Sequence, residues 1–589
     1  MKISKLMLMV LIILMLIAIN YLPMTFATEK PLIDRQNYSL LSDPFLQLPT
    51  KNTVNIVWFT EFQGDRHLIK YGAELEKQVT ATTTKLSQVR EDEDSQLDSP
   101  PAQSISRDIW RHEATVGGLI PNQRLPYQVV SIEDRQTIPS NVFTLASNPT
   151  TETSLKILLT SDHQLKPMTT ANLAKVVETV GQVDAVFFPG DLVDIPDRAS
   201  EWFDDRRGGA FFPSLQGRAN YELESNGLKT IYKGGEIIQH APLFTAVGNH
   251  EVMGRSSPEI KLKQAYSNSI PRKVGAKLYQ QKASQINPTE DPQVKVNWIK
   301  NNSFSTDTYE EIFSLPQSAT GGKLYYATTF GDIRLISLYV TNIWRSPSLE
   351  ADDQGRYKES TENLENPEAW GYGQHIFEPI AQGSPQYKWL TQELQSEAYQ
   401  QAKYKIVMLH HPPHTLGGNI VPPFTEPRAK LDYTEDGKVQ SRYYDYPIEE
   451  DYIIRDLIPL LESAGVQLVY YGHSHLWNRF QSTSGMHFLE SSNVGNSYGA
   501  HLGDNKRPIP FYSPQNYAAT GNPNGLEPIV PNIAPLIDES GQSLPYIASN
   551  DITVFSIFDT QTGTVSSYRY DTRQPNSEVV KFDEFKLTK

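Results

Sequence analysis

The chain contains no cysteine. That absence excludes disulfide bonds, a lipid-modified cysteine and thiolate metal ligands, so any metal must be held by His, Asp, Glu, Asn, Gln or Tyr. Apolar runs of membrane-spanning length are lacking as well. The longest, residues 6–19, falls short of the roughly 20 residues a span needs. Basic charge is not in excess either: the 589 residues carry a net charge of −15, and the pI is near 5.4. This balance argues against nonspecific nucleic-acid binding, and no basic surface for it is evident. No internal repeat divides the chain.

What is present is globular in class, 39% hydrophobic and 21% charged, and long enough for two or more domains. Lys2 and Lys5 precede the apolar run, and Thr25-Phe26-Ala27 follows it. This is the pattern of a secretory signal over residues 1–27, cut after Ala27. It predicts a secreted or periplasmic protein with no stable membrane span once the signal is removed. Residues 28–43 are then an N-terminal extension.

From residue 44 the pattern turns to strands. Val54, Ile56 and Trp58 alternate with polar neighbours, and residues 68–72, 114–119, 127–130 and 142–145 continue the theme around the turn Pro121-Asn122-Gln123. Several short strands predict an all-β sandwich over residues 44–147, with the acidic residues 91–94 as a solvated loop. A polar linker, residues 148–153, leads to an α/β domain over residues 154–589. In it helices are expected at 171–183 and 453–464, paired antiparallel strands at 324–330 and 333–340, and closing strands at 552–558, 564–570 and 579–585. Four stretches rich in Gly, Pro, Asn, Ser and Tyr (196–240, 254–322, 347–385 and 417–450) are expected to wall a site, and a fifth, 493–549, is similarly rich in Pro and Asn.

The chemistry lies where five apolar runs stop. Residues 155–160 lead into Ser161-Asp162-His163-Gln164, and residues 183–188 into Pro189-Gly190-Asp191, with Asp194 three places on. Residues 243–247 precede Gly248-Asn249-His250-Glu251, residues 405–409 precede His410-His411, and residues 466–471 precede Gly472-His473-Ser474-His475. Open α/β sheets place their sites at such strand ends. Taken singly, each residue reads as a cap, a turn or a core histidine. Together they supply what phosphate-ester hydrolysis by two metal ions needs: a bridging carboxylate, neutral imidazoles and carbonyl oxygens around an activated bridging water. The His-Ser-His spacing, read as a continuing strand, puts both rings on one side.

The order Asp-x-x, Gly-Asp-x-x-Asp, Gly-Asn-His-Glu, Val-x-x-His and Gly-His-x-His resembles the calcineurin-like metallophosphoesterase superfamily. The whole chain looks closest to purple acid phosphatases, which carry a fibronectin type III-like domain before the catalytic one. Pro44-Phe45-Leu46-Gln47, Leu119 with Pro121 and Tyr127, Gln386-Tyr387-Lys388-Trp389-Leu390 and Phe582-Asp583-Glu584-Phe585 support that likeness. In the fibronectin type III pattern Tyr127 would pin a corner of the sandwich.

The resemblance implies a secreted dinuclear-metal hydrolase of phosphate esters, an acid phosphatase-like phosphomonoesterase acting on a small-molecule substrate. Its cofactors would be two divalent or mixed-valence ions of Fe, Zn or Mn. Asp191 would bridge them, Asn249, His410 and His473 would complete one site, and Asp162, His475 and Gln164 would complete the other. A metal-bridging hydroxide would attack phosphorus in line. His250 would be catalytic, touching the phosphate and assisting the leaving group, with Asn249 beside it at the substrate and Glu251 orienting its neighbours. A phosphodiesterase or nucleotide hydrolase on the same scaffold, and a noncatalytic binding protein with a degenerate site, are the alternatives. Two departures from the pattern stand out. Asp194 occupies the place of the tyrosine that colours purple acid phosphatases, which implies no purple chromophore. Gln164 stands where many relatives have histidine, which implies a weaker ligand, and the adjacent His163 would face the other way. One of His411 and His414 is expected to face the substrate.

Overall fold

The computed structural model describes residues 38–345, 358–373, 375–414, 416–417, 428–445, 450–500 and 525–587. The expected signal and most of the N-terminal extension lie outside these residues.

The N-terminal region is built of two antiparallel sheets. One contains Phe45–Gln47, Thr53–Thr60, Trp110–Gly117 and Thr82–Lys85; the other contains Gln136–Pro139, Leu125–Glu133, Arg66–Tyr71 and Lys77–Thr80, with Phe143–Leu145 pairing to Leu125–Glu133. The alternating residues Val54, Ile56 and Trp58 meet Ile69, Tyr127 and Val129 in a common core. Tyr127 does not pin a corner of this region. Its hydroxyl donates to the carbonyl of Gln239 at 2.7 Å, so it ties the sandwich to the segment ahead of strand Leu243–Thr245.

The acidic stretch is solvated only in its second half, Glu93 and Asp94. Glu91 and Asp92 are buried. Glu91 pairs with Arg107 at 2.9 Å and accepts from Ser200, and Asp92 pairs with Arg198 at 3.1 Å. Arg107, 16 residues away, and Arg198 and Ser200, more than 100 residues away, make burial of these charges tolerable.

Two sheets form the α/β part. The first runs Leu243–Thr245, Ala185–Phe188, Lys156–Leu159, Ile552–Asp559, Thr564–Asp571 and Val580–Lys586; its first three strands are parallel and the rest antiparallel. The second runs Tyr326–Phe330, Ile333–Ser337, Tyr404–Met408, Leu468–Tyr471, His487–Ser491, Trp477–Gln481 and Tyr546–Ile547. The period of two decides which side chains meet. Ile406 and Met408 enter the core shared with Phe187, Phe244 and Phe555 of the first sheet. Val407 and Leu409 face the other way, beneath Leu390, Leu457 and Leu461.

Helix Thr169–Val180 covers the first sheet through Leu173 and Val176. The segment expected as a helix over 453–464 winds as a π-turn at Ile453–Leu457, then as an α-helix at Ile458–Ser463, with Pro459 at its start. Stretch 254–322 holds regular structure that its composition hides: helices Leu262–Ser267, Arg272–Ile286, Pro292–Asn301 and Asp307–Ile312. Among the described residues, no helix is long and apolar enough to cross a membrane.

Candidate metal centre

Five strands, Lys156–Leu159, Ala185–Phe188, Leu243–Thr245, Tyr404–Met408 and Leu468–Tyr471, deliver their next residues to one place. Two groups of buried donors form there: Asp191 with His410 and His473, and Asp162 with Asp191 and His475. Asp191 belongs to both.

Glycines permit this convergence. A Cβ on Gly248 would lie 2.3 Å from Asp191 Oδ1 and 2.9 Å from His410 Nδ1; one on Gly472 would lie 2.2 Å from Asp162 Oδ2. What reads in the sequence as turn glycine is the clearance that lets carboxylate and imidazole approach. The backbone is strained at the same points: Asp162 (φ 57°), Asp191 (φ 58°), His473 (φ 82°) and His475 (φ 58°) are all left-handed. Such conformations cost of order 1–3 kcal/mol each and persist where the surroundings over-determine them. The His-Ser-His argument therefore fails in its premise. The strand ends at Tyr471, and left-handed turns, not strand alternation, direct His473 to one group and His475 to the other.

Backbone carbonyls assign the imidazole protons of His410 and His475. His410 Nδ1 donates to the Pro189 carbonyl at 2.9 Å, leaving Nε2 facing Asn249 Oδ1 at 3.1 Å and Asp191 Oδ1 at 3.3 Å. His473 Nδ1 lies 3.0 Å from Asn249 Oδ1 and 3.2 Å from His410 Nε2. His475 Nδ1 donates to the Asn496 carbonyl at 3.1 Å, leaving Nε2 at 3.5 Å from Asp162 Oδ1.

With both rings neutral, the facing nitrogens of His410 and His473 and the Asn249 oxygen would converge on one point, an arrangement a cation would relieve. Donors about 2.1 Å from one metal lie roughly 3.0 to 3.4 Å from each other, which is the spacing of the Asn249, His410 and His473 atoms. The donor set fits a metal. Burial lowers the His475 pKa to about 3, keeping it neutral as a ligand must be. For His410 burial acts in the same direction, but the Asp191 charge outweighs it and raises the pKa to about 9. A metal held by His410 would take the place of that proton. Burial alone would raise Asp191, yet His410 and His250 hold it below the usual carboxylate range.

The surroundings hold the ligands. The Glu251 carboxylate accepts from the backbone N–H groups of Asp191 (2.8 Å), Leu192 (2.8 Å) and Gly248 (2.7 Å), an orienting contact and not a ligand contact. The His473 N–H donates to the Asp162 carboxylate at 3.0 Å. Gln164 turns its amide nitrogen to Asp191 Oδ2 at 2.5 Å, while its Oε1 is buried without a hydrogen-bond partner. As it stands, Gln164 steadies the shared carboxylate; rotating the amide would present the oxygen to the same point.

His163 points away, bonded to Thr160 and edge-on to Phe188 at 4.6 Å. His414 packs against Phe480 and Phe488 away from the cleft. His411 lies between Phe377 and the ring of His473. Neither lines the cleft, which has a volume of about 380 Å³.

Asp194 directs its carboxylate to His250 Nδ1 (3.6 Å) and Lys166 Nζ (3.9 Å) and takes no part in either donor group. Its backbone carbonyl accepts from His250 Nδ1. The His250 ring stacks on Tyr266, and the Arg345 guanidinium lies 3.6 Å from the centre of the same Tyr266 ring. Arg345 donates to the carbonyls of Tyr266 and Val252 and so fixes the wall of the cleft. Lys263, Trp344 and Tyr498 line it too. These residues come from stretches without periodicity, and no local motif marks them.

A model of the calcineurin-like phosphoesterase family matches residues 155–476, which span all five strand ends. The chain belongs to this family. It is thereby a metal-dependent phosphoesterase, with the two donor groups placed where a dinuclear centre requires them. Among solved structures, the phosphoesterase is similar to purple acid phosphatase PPD1 from seeds of yellow lupin (Lupinus luteus), at 13% identity and a TM-score of 0.50, over 92% of this chain and 73% of that one. This likeness concerns the fold: a strand-rich N-terminal region followed by the phosphoesterase domain. A Plasmodium protein, GAP50, described as the anchor in the inner membrane complex, matches at 10% identity and a TM-score of 0.31 over 74% of this chain and 90% of that one. A dimetal phosphatase from Danio rerio matches at 12% identity and 0.31 over 73% and 98%. No curated protein matches the phosphoesterase in sequence.

Proposed function

We propose that this phosphoesterase is an exported phosphomonoesterase of the acid phosphatase type, acting on a small phosphate ester with two metal ions of Fe, Zn or Mn. The observation that carries the reading is the position of Asp191, shared by both donor groups. When bound, the ions supply an activated water and positive charge over the phosphoryl oxygens. An all-nitrogen-and-oxygen ligand set suits these three metals.

The residues divide the remaining work. Asp191 holds the two sites together, with Asn249, His410 and His473 on one side and Asp162 and His475 on the other; Gln164 supports this second side. His250 has its Nδ1 committed to the Asp194 carbonyl, so Nε2 is the atom that faces the cleft, 3.9 Å from Asp191 Oδ2. There, in its doubly protonated form, it would serve the leaving oxygen as a proton donor. Lys166 and Lys263 bring positive charge to the walls. The apolar run at residues 6–19, preceded by Lys2 and Lys5, supports export, which fractionation of expressing cells tests.

The deciding experiment compares an aryl phosphate, a bis-aryl phosphate and a nucleotide as substrates, with metal content measured on the same sample. Turnover led by the aryl monoester with two metals per chain is expected. Faster diester turnover would replace the reading with a phosphodiesterase, and no turnover with less than one metal per chain would point to a binding protein.

A further inference from the structure

A second chamber of about 550 Å³ opens beside the metal cleft, and the two share Gln164, Lys166, Asp194 and Asn496. We propose that this chamber receives the leaving group, and that the leaving group is a neutral polyol. The inference rests on the phosphomonoesterase reading and narrows its substrate to phosphate esters of hydroxyl-rich alcohols.

Position comes first. Asp194 connects the two spaces: its carbonyl fixes His250, the proton donor to the leaving oxygen, and its carboxylate lies on the wall common to cleft and chamber. An alcohol departing beside His250 stands next to Asp194, at the mouth of the chamber.

Chemistry comes second. The chamber is walled by the carboxylates of Asp94 and Asp205, the amides of Gln96 and Asn550 and the phenol of Tyr221. Hydroxyl groups both donate and accept, and this mixture of acceptors and two-way groups matches them. Tyr221 is the one aromatic ring among the lining residues, with Leu165 and Pro167 the main apolar ones, so a planar base or aryl group finds little surface to cover.

Charge comes third and separates a polyol from a second phosphate. Three cations line the chamber, and each faces a carboxylate. Arg198 lies between Asp92 (3.1 Å) and Glu201 (2.9 Å), Arg207 is forked onto Asp205 (2.5 Å), and Lys166 is 3.9 Å from Asp194. Asp94 has its own counter-charge in Lys261 at 3.2 Å, so the lining cations and carboxylates are paired throughout. A further anionic group would have to compete with carboxylates already in place, whereas neutral hydroxyls need no counter-charge.

The test uses the full-length, metal-loaded protein with sorbitol 6-phosphate, phenyl phosphate and ATP. The expected kcat/KM is highest for sorbitol 6-phosphate, by about tenfold or more over the other two, corresponding to 1.4 kcal/mol of differential transition-state binding. Gln96→Trp, which fills the chamber, should lower kcat/KM for sorbitol 6-phosphate about tenfold more than for phenyl phosphate. Tyr221→Phe, which removes one hydroxyl without adding bulk, should narrow the same ratio. Preference of the wild type for phenyl phosphate or ATP overturns the inference, as does a ratio unmoved by both substitutions. Preference for phenyl phosphate, or an unmoved ratio, leaves the phosphomonoesterase reading standing, whereas preference for ATP, which is cleaved at an anhydride, overturns that reading too. Failure to hydrolyse any of the three with both metals bound overturns that reading and this inference with it.

Discussion

His250 donates its Nδ1 proton to the backbone carbonyl of Asp194 at 2.6 Å. That peptide is itself held, because the N–H groups of Asp194 and Ile195 both donate to Glu201 at 2.8 Å. Glu201 in turn pairs with Arg198, and Arg198 with Asp92 of the N-terminal region. The orientation of one imidazole thus depends on a buried chain of contacts that ends in the other half of the protein.

His250→Ala should lower kcat by about 10²- to 10⁴-fold, the usual contribution of a positioned acid. Metal content, measured by elemental analysis, should stay at the wild-type level because His250 holds no metal. The loss should be smaller for aryl than for alkyl phosphates, whose leaving groups need the proton more. Equal losses would assign His250 to binding alone.

Asp191→Asn should remove both metals together. Loss of an outer hydrogen-bond partner costs about 10- to 100-fold in metal affinity, and loss of the shared carboxylate should exceed that. Activity should vanish while the circular dichroism spectrum is kept. Retention of two metals at wild-type turnover would place the bridge elsewhere.

Glu251→Gln tests the support beneath the same residue. A neutral amide accepts less strongly from the N–H groups of Asp191, Leu192 and Gly248, so metal affinity should fall by about 10- to 100-fold without loss of the fold. Competition with a chelator reads this directly.

Gln164→His should make the Asp162–His475 side more resistant to chelator, since imidazole is a stronger donor than an amide oxygen. In the wild type that metal should leave first. With Asp194 turned to Lys166 and His250, no visible charge-transfer band is expected from the iron-loaded protein. Simultaneous loss of both metals from wild type and variant would show that Gln164 does not weaken the site.

Stability should fall with acid through a pair far from the centre. His67 and His112 are buried and stacked with ring centroids 3.5 Å apart. Burial, with the neighbouring His67, lowers the His112 pKa from 6.5 to about 2; burial lowers that of His67 too. The unfolded chain takes up protons below about pH 6.5 that the folded chain refuses, so this stability is complete above that pH and is lost as pH falls toward 2. His112 alone accounts for about 1.4 kcal/mol per pH unit across the window. Urea unfolding at pH 7, 5.5 and 4 should show that slope, and His112→Gln should flatten it.

The strand ends and their polar successors were legible because a buried strand and a following carboxylate or imidazole leave a local mark. Asp162, Asp191, Asn249, His410, His473 and His475 were all readable in this way. The directions of those side chains were not. His473 and His475 are left-handed, and the backbone there is held by Asp162 and Glu490, which lie on different elements. Glu91 and Asp92 read as solvent-facing because their partners, Arg107, Arg198 and Ser200, are brought by the fold and not by the sequence neighbourhood. Arg345, Tyr266 and Glu201 left no trace for the same reason.

Strand Lys156–Leu159, which leads to Asp162, has Ile552–Asp559 as one of its two neighbours, and Leu155 bonds to Thr560 across 405 residues of chain. The sheet that aims Asp162 and Asp191 is therefore open along one side until the last strands are synthesised. Assembly of the metal centre during translation should therefore wait for a segment that supplies none of the described donors. Truncation ahead of residue 552 would leave every donor in the polypeptide and abolish the centre all the same.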